Sequence, residues 1–198
     1  MGDHGSNLTQ ALERNAEAVA VMNEAGWEIA SHGLRWIDFV HMPEAEEKQM
    51  MEDSIARHTA VVGKPPAGWY TGRNSAATSR LVGDYGGFTY HSDSYSDDLP
   101  YYEQFGGDKP QLVVPYTFDV NDQKFASPNS FGTGGEFKQY LMETFDALYA
   151  EGAAGTPRMM SIGLHCRLAG RPARAAALAQ FVDYVKALPK VWLCTVSA

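Results

Sequence analysis

The sequence is poor in cysteine, in positive charge and in long apolar runs. Two cysteines, Cys166 and Cys194, are too few for a disulfide framework and lack the spacing of a zinc site. No apolar run approaches the ~20 residues that a membrane-spanning helix needs. The opening "MGDHGSNLTQ" lacks the basic and then apolar pattern of a secretory signal. These absences predict a cytoplasmic protein without a membrane partner, with both thiols free and buried in strand-like segments.

Acidic residues outnumber basic ones by 24 to 16, which gives a formal net charge of -8 at pH 7. Phosphate surfaces and anionic lipids would repel such a chain, so the charge argues against nucleic-acid and membrane partners. The hydrophobic share of 44% is ordinary for a globular protein. We therefore expect a single domain with a real core over residues 1–198, and we expect residues 1–10 to be disordered or non-native.

Apolar patterns alternate between strand and helix periods along the chain. Short strands are predicted at "WEIASHG", "GWYTG", "FTYHSD", "LVVPYTFD", "RMMSIGLHCR" and "VWLCT", and amphipathic helices lie between most of them. Strands that alternate with helices over short connections pair in parallel, so the pattern predicts an α/β fold. A closed barrel of eight strands needs roughly 250 residues. Either the sheet is open, or the front of a barrel lies outside this polypeptide.

Polar side chains follow five of the predicted strands. Because the C-terminal ends of parallel strands lie on one face, we expect these side chains to converge. Each also has a structural interpretation as a turn former, a cap or a partner in an ion pair. Two further histidines, His41 and His58, lie in or beside helices and are predicted to be on the surface. The residues at the strand ends are His32, Arg73, Asn74, His91, Asp93, Asp119, Asn121, Asp122, His165 and Arg167.

Several stretches resemble the polysaccharide deacetylase family, and more closely its allantoinase branch, the metal-independent enzymes of bacterial urate catabolism. The likeness runs from about Leu12 to Thr195. It implies a partial or distorted (β/α) barrel of the polysaccharide deacetylase type with the first strand or strands missing. The stretches are "ALERNAEAVAVMNEAGWEIASHGLRWIDF", "GWYTGRNS", "PYTFDVNDQKF" and "SIGLHCRLAGRPARAAAL".

The resemblance implies a role for particular positions. In sugar deacetylases the second motif carries two metal-binding histidines; here His32 stands at the first position and Trp36 at the second, and an indole cannot ligate a metal. Arg73 matches the arginine of the third motif, and His165 matches the histidine of the fifth, which serves as general acid. The implied catalytic residues are His165, His32, Asp122 and Asp119, and the implied substrate-binding residues are Arg73, Trp36, Asn121 and Arg167.

On this resemblance the expected activity is hydrolysis of allantoin, a small cyclic ureide, to allantoate by acid–base attack of water, without a cofactor and in a homo-oligomer. The family's first motif, an acidic pair on the first strand, has no counterpart before Leu12. We therefore expect the isolated polypeptide to be weak or inactive. Two alternatives stay open: a chitin or peptidoglycan N-deacetylase that uses a divalent metal such as zinc, and a non-catalytic barrel remnant that binds a partner.

Overall fold

The computed structural model describes residues 8–128 and 130–196. Most of the expected disordered start, residues 1–7, lies outside the described residues, whereas residues 8–10 begin a helix. The chain divides into two compact units. We call Met1–Ser94, Pro100–Pro115 and Thr195–Ala198 unit 1, and Tyr95–Leu99 with Tyr116–Cys194 unit 2. The prediction of a single domain stays a prediction.

Unit 1 is built on a mixed four-stranded sheet. Its strands are β1 (Gly68–Trp69), β2 (Tyr90–His91), β3 (Tyr101–Glu103) and β4 (Gln111–Val113), in the order β1-β2-β4-β3. Strands β1, β2 and β4 run parallel, and β3 pairs antiparallel with β4. A parallel bridge from Ser31 to Trp69 extends the sheet beyond β1.

Helices accompany the sheet of unit 1. They are α1 (Leu8–Arg14), α2 (Ala16–Glu24), α3 (Glu44–Val62) and α4 (Thr78–Tyr85). The hydroxyl of Ser54 on α3 lies 3.2 Å from that of Ser31, so α3 packs directly on the sheet. Burial of each large apolar side chain contributes about 1.5–3 kcal/mol to folding. The core here consists of Met51, Ile55, Trp69, Leu81, Val82 and Phe88.

Unit 2 is mainly helical. It contains a 3-10 helix (Asp122–Ala126), α5 (Gly134–Ala153), the short α6 (Cys166–Ala169) and α7 (Pro172–Lys186). Helix α5 begins with a capping box, because the Thr133 hydroxyl accepts the Glu136 N–H while the Glu136 carboxylate accepts the Thr133 N–H. Proline at the start of α7 fits a helix N-terminus, where its missing N–H costs nothing. The two long helices pack around Val120, Phe137, Leu141, Phe181 and Val185.

The predicted α/β fold is confirmed, but several local predictions are wrong. Two predicted strands are reduced to single bridges, at Ser31 and at Gly163, and "VWLCT" forms no strand because residues 191–195 pair with no described neighbour. Strand β3 lies in a stretch for which the sequence predicted no strand. Both cysteines are exposed rather than buried, and His58 is fully buried rather than on the surface. No helix within the described ranges is long and apolar enough to cross a membrane.

Candidate functional site

The strongest polar constellation in unit 2 joins Asp122 to His165. Asp122 opens the 3-10 helix and is fully buried. One of its oxygens, Oδ1, lies 2.6 Å from Nδ1 of His165. The other, Oδ2, accepts the backbone N–H of His165 at 2.8 Å and that of Ala169 at 3.0 Å. The carboxylate therefore fixes both the backbone and the ring of the histidine.

This arrangement assigns the tautomer of His165. A carboxylate can only accept, so Nδ1 carries the hydrogen and Nε2 keeps a lone pair. The side chain of His165 is 31% exposed, which leaves the ring accessible to solvent. Such a dyad holds a proton acceptor in one orientation and stabilises the imidazolium that forms when a proton arrives. We call Asp122 and His165 the unit 2 dyad.

The backbone that precedes Asp122 packs very closely against the backbone that precedes His165. Asn121 pairs in parallel with Gly163, and the Asp122 N–H donates to the Gly163 carbonyl at 2.9 Å. A Cβ on Gly163 would lie 2.3 Å from Nδ2 of Asn121 and 2.8 Å from the hydroxyl of Tyr116. Both distances are shorter than carbon contacts allow, so a side chain at position 163 would displace the Asn121 amide or the Tyr116 hydroxyl.

A second constellation in unit 1 joins two residues that the resemblance indicated. The guanidinium carbon of Arg73 lies 5.0 Å from the ring centroid of Trp36, which is cation–π geometry. Both side chains are exposed, Trp36 by 39%. The ring of His32 packs against that of Tyr70 at 4.9 Å, three residues before Arg73. The arginine and the indole together present a cation beside a flat aromatic surface.

Two buried acids bond to the chain on either side of Arg73, and neither was among the implied catalytic or substrate-binding residues. Asp93 accepts hydrogen bonds from the turn at Thr71 and Gly72, and Glu47 accepts them from the hydroxyls of Ser75 and Thr78. Burial raises the pKa of the Asp93 carboxyl, and the donors of the turn oppose that rise. Asp93 follows a predicted strand, which was a usable signal. Glu47 sits in an acidic helix start, where a surface position is the usual expectation.

The remaining candidates lie in other surroundings. Asp119 is exposed; its Oδ1 accepts the hydroxyl of Tyr140 and lies 3.6 Å from Nζ of Lys124. Asn121 is 1% exposed, and its Oδ1 accepts the Gln123 N–H at 2.8 Å as the cap of the 3-10 helix. Arg167 is exposed on α6. Catalysis by Asp119, and substrate contacts of Asn121 and Arg167, stay predictions, as does the expectation that His32 and His165 share one pocket.

A divalent metal, which the deacetylase motif would imply, does not fit the donors that this chain offers. Trp36 replaces the second histidine, and the guanidinium of Arg73 over its ring is a cation that would repel a metal ion. Among the described residues, no three histidine, cysteine, aspartate or glutamate side chains cluster closely enough to bind a metal.

Comparison with known proteins shows what this chain is similar to. Residues 6–89 match the family model described as polysaccharide deacetylase. A protein of Schizosaccharomyces pombe, whose name gives polysaccharide deacetylase as a provisional description, is 39% identical over 95% of this chain and 63% of its own length. The structure of a "probable Polysaccharide deacetylase" from Pseudomonas aeruginosa PAO1 is 49% identical with a TM-score of 0.90, over 94% of this chain and 62% of that one.

The structure of Puue Allantoinase is 48% identical with a TM-score of 0.91, over 96% of this chain and 63% of that one. The chain thus spans a little under two thirds of the length of these relatives. The chain is thus similar to proteins of both descriptions, and residues 6–89 match the polysaccharide deacetylase model.

Proposed function

We propose that this chain is part of an allantoinase-type hydrolase that opens the hydantoin ring of allantoin to give allantoate. The observation that carries the proposal is the unit 2 dyad, in which a buried carboxylate holds a solvent-accessible imidazole at 2.6 Å. Support also comes from the 48% identity to an allantoinase. The substrate is a small cyclic ureide.

The dyad supplies the proton transfers that ring opening needs. Nε2 of His165 takes a proton from water as the water oxygen bonds to the ring carbonyl carbon. Asp122 stabilises the resulting imidazolium through the hydrogen on Nδ1. The imidazolium then returns a proton to the departing ring nitrogen as the carbon–nitrogen bond breaks. One water is consumed, and imidazole is suited to both transfers near neutral pH.

The Arg73–Trp36 pair is suited to the recognition step. A guanidinium donates two parallel hydrogen bonds to a planar carbonyl or ureido group, and the indole offers a flat surface for the ring. His32, beside Tyr70, is a second donor for a carbonyl oxygen in this proposal. With this donor set the developing negative charge is stabilised by hydrogen bonds, without a metal cofactor.

The test is ring opening by the purified chain, followed by carbon NMR of the hydantoin and carboxylate signals. His165→Ala should lower the rate of allantoate formation by about 100-fold or more, because it removes the proton shuttle. His41→Ala removes an exposed imidazole and should leave the rate unchanged. Allantoate formation that survives His165→Ala would reject the mechanism. Binding of allantoin without turnover would favour a non-catalytic role.

A second function, sugar N-deacetylation, is favoured by the names of two relatives, at 39% and 49% identity. The same proton transfers would release acetate from an acetamido sugar. A parallel assay of acetate release from a chitin oligomer, with and without added zinc, separates the two. Zinc-dependent acetate release without allantoate formation would replace the proposal with a deacetylase.

A further inference from the structure

Arg73 lies on a turn that a buried acid holds directly. Asp93 is 6% exposed, and its carboxylate accepts the Thr71 N–H, the Thr71 hydroxyl and the Gly72 N–H at 2.8–2.9 Å. Gly72 has a φ of +72°, a conformation that a side chain would disfavour, and its N–H is one of these donors. The acid therefore fixes the backbone of the residue that precedes Arg73.

A second buried acid holds the other end of the same segment. Glu47 on α3 is 4% exposed and accepts the hydroxyls of Ser75 and Thr78. Residues 71–78, which we call the Arg73 segment, are thus held on both sides of the arginine. Between these points the Arg73 carbonyl accepts the Phe39 N–H at 3.0 Å, which connects the segment to the loop that carries Trp36.

Neither Asp93 nor Arg73 forms an ion pair within the described part of the chain. A carboxylate buried without a cation costs several kcal/mol in desolvation, and only its hydrogen bonds offset that cost. Nothing in the apolar core needs such a group at this position. The hydrogen bonds of Asp93 hold the turn in one conformation. The guanidinium of Arg73, which follows this turn, stays available to a ligand.

We propose that Asp93 is a positioning residue of the candidate site, whose carboxylate fixes the turn at Thr71 and Gly72 and so holds Arg73 against Trp36. The inference rests on the proposed function only for the identity of the ligand. An amide cannot replace the carboxylate, because one of its two atoms would turn an N–H toward the backbone donors of the turn.

The experiment measures the Trp36–Arg73 contact directly by NMR of the indole N–H signals. The sequence has four tryptophans, and Trp36→Phe assigns the relevant signal. Arg73→Gln removes the cation and defines the displacement of the Trp36 signal when the contact is lost. Asp93→Asn should move the Trp36 signal by at least half of that displacement and leave those of Trp27 and Trp192 in place. In the Arg73→Gln background, Asp93→Asn should add no further displacement.

A matched control is Asp84→Asn, since Asp84 also accepts a glycine N–H from a turn, that of Gly107, but holds no part of the Arg73 segment. It should leave the Trp36 signal unchanged. An unmoved Trp36 signal in folded Asp93→Asn, or in Arg73→Gln, overturns the proposal. Equal displacement of all four signals also overturns it, because that is general damage. If Asp93→Asn does not fold, Thr71→Val removes a single bond to the acid and is judged by the same criteria.

The affinity for allantoin tests whether the position of Arg73 matters for binding. Asp93→Asn should weaken binding of allantoin roughly tenfold, since the site loses preorganisation. If the wild-type chain binds no allantoin, the proposed substrate fails while the NMR result still decides the role of Asp93.

Discussion

In unit 2 a buried acid contacts the ring of the candidate histidine itself, whereas in unit 1 two buried acids contact the chain on either side of an exposed arginine. Asp122 is both a motif residue and the group that fixes His165. Arg73 is the motif residue of unit 1, and Asp93 and Glu47 bond to the residues around it. In both units a buried acid orders the chain at a candidate residue, but only in unit 2 does that acid bond to the candidate side chain.

Asp122→Asn should have the largest effect. The amide turns a donor toward either the His165 ring or the two backbone N–H groups, so the reactive tautomer is lost. We expect turnover to fall by about 100- to 1000-fold with little change in KM. Asp183→Asn, an exposed acid on α7, is the control in the allantoate assay. Turnover within a factor of about three of wild type would show that the dyad does not act as proposed.

Acid should destabilise unit 1 through its buried histidines. Burial lowers the pKa of His91 from 6.5 to about 4, and neither ring nitrogen of His91 or His58 has a partner among the described residues. The unfolded state then binds more protons, so the free energy of unfolding should fall from pH 6.5 to pH 4, by about 3 kcal/mol for His91. The raised pKa of Asp93 acts in the opposite direction and offsets part of the loss.

Urea unfolding at pH 4.5 and pH 7 measures this dependence. His91→Phe should flatten it, since the variant keeps an aromatic ring beside Phe105 and removes the titrating group. His41→Gln, at an exposed position, should not. An equally steep pH dependence in both variants would contradict the prediction.

Arg73→Lys should have a smaller effect, on binding. A lysine keeps the charge but loses the planar pair of donors and the stacking on Trp36, so KM should rise about tenfold with kcat little changed. Steady-state kinetics on allantoin gives both constants. A fall in kcat at constant KM would instead place the arginine in the chemical step.

Ser75→Ala should have the smallest effect. It removes one of the two hydroxyls that donate to Glu47, and the free energy of unfolding should fall by about 1 kcal/mol. Ser79→Ala, on the same stretch of chain within α4, is the comparison variant in thermal unfolding. If both variants lose the same stability, the bond between Ser75 and Glu47 has no particular role in holding the Arg73 segment.

The long helices were predictable because their caps and periods are local. The sequence predicts helices between most of the expected strands, and α3, α5 and α7 lie in such intervals. The strands were not predictable in the same way, because a strand exists only where a neighbouring segment pairs with it. The stretch around Ser31 has the right apolar pattern but only a single bridge, and the antiparallel β3 is a polar, aromatic sequence that pairs with β4.

Two of the contacts at the candidate site join residues that the motifs had singled out. His165 and Asp122, 43 residues apart, form the dyad, and Trp36 and Arg73 make their contact. For other residues, the sequence did not indicate whether the side chain is buried. His58 follows a helical pattern that also fits a surface, and its complete burial depends on the packing of α3 against the sheet. Asp119 resembles a motif acid but bonds to Tyr140 on the surface.

The close approach at residue 163 has a practical consequence for anyone who varies this sequence. In a library that samples every amino acid at that position, enzymes with a working histidine should come from the glycine codons, since even one added methyl group would collide with Asn121. Selection at position 163 would then act on the lack of a side chain and not on a reactive group.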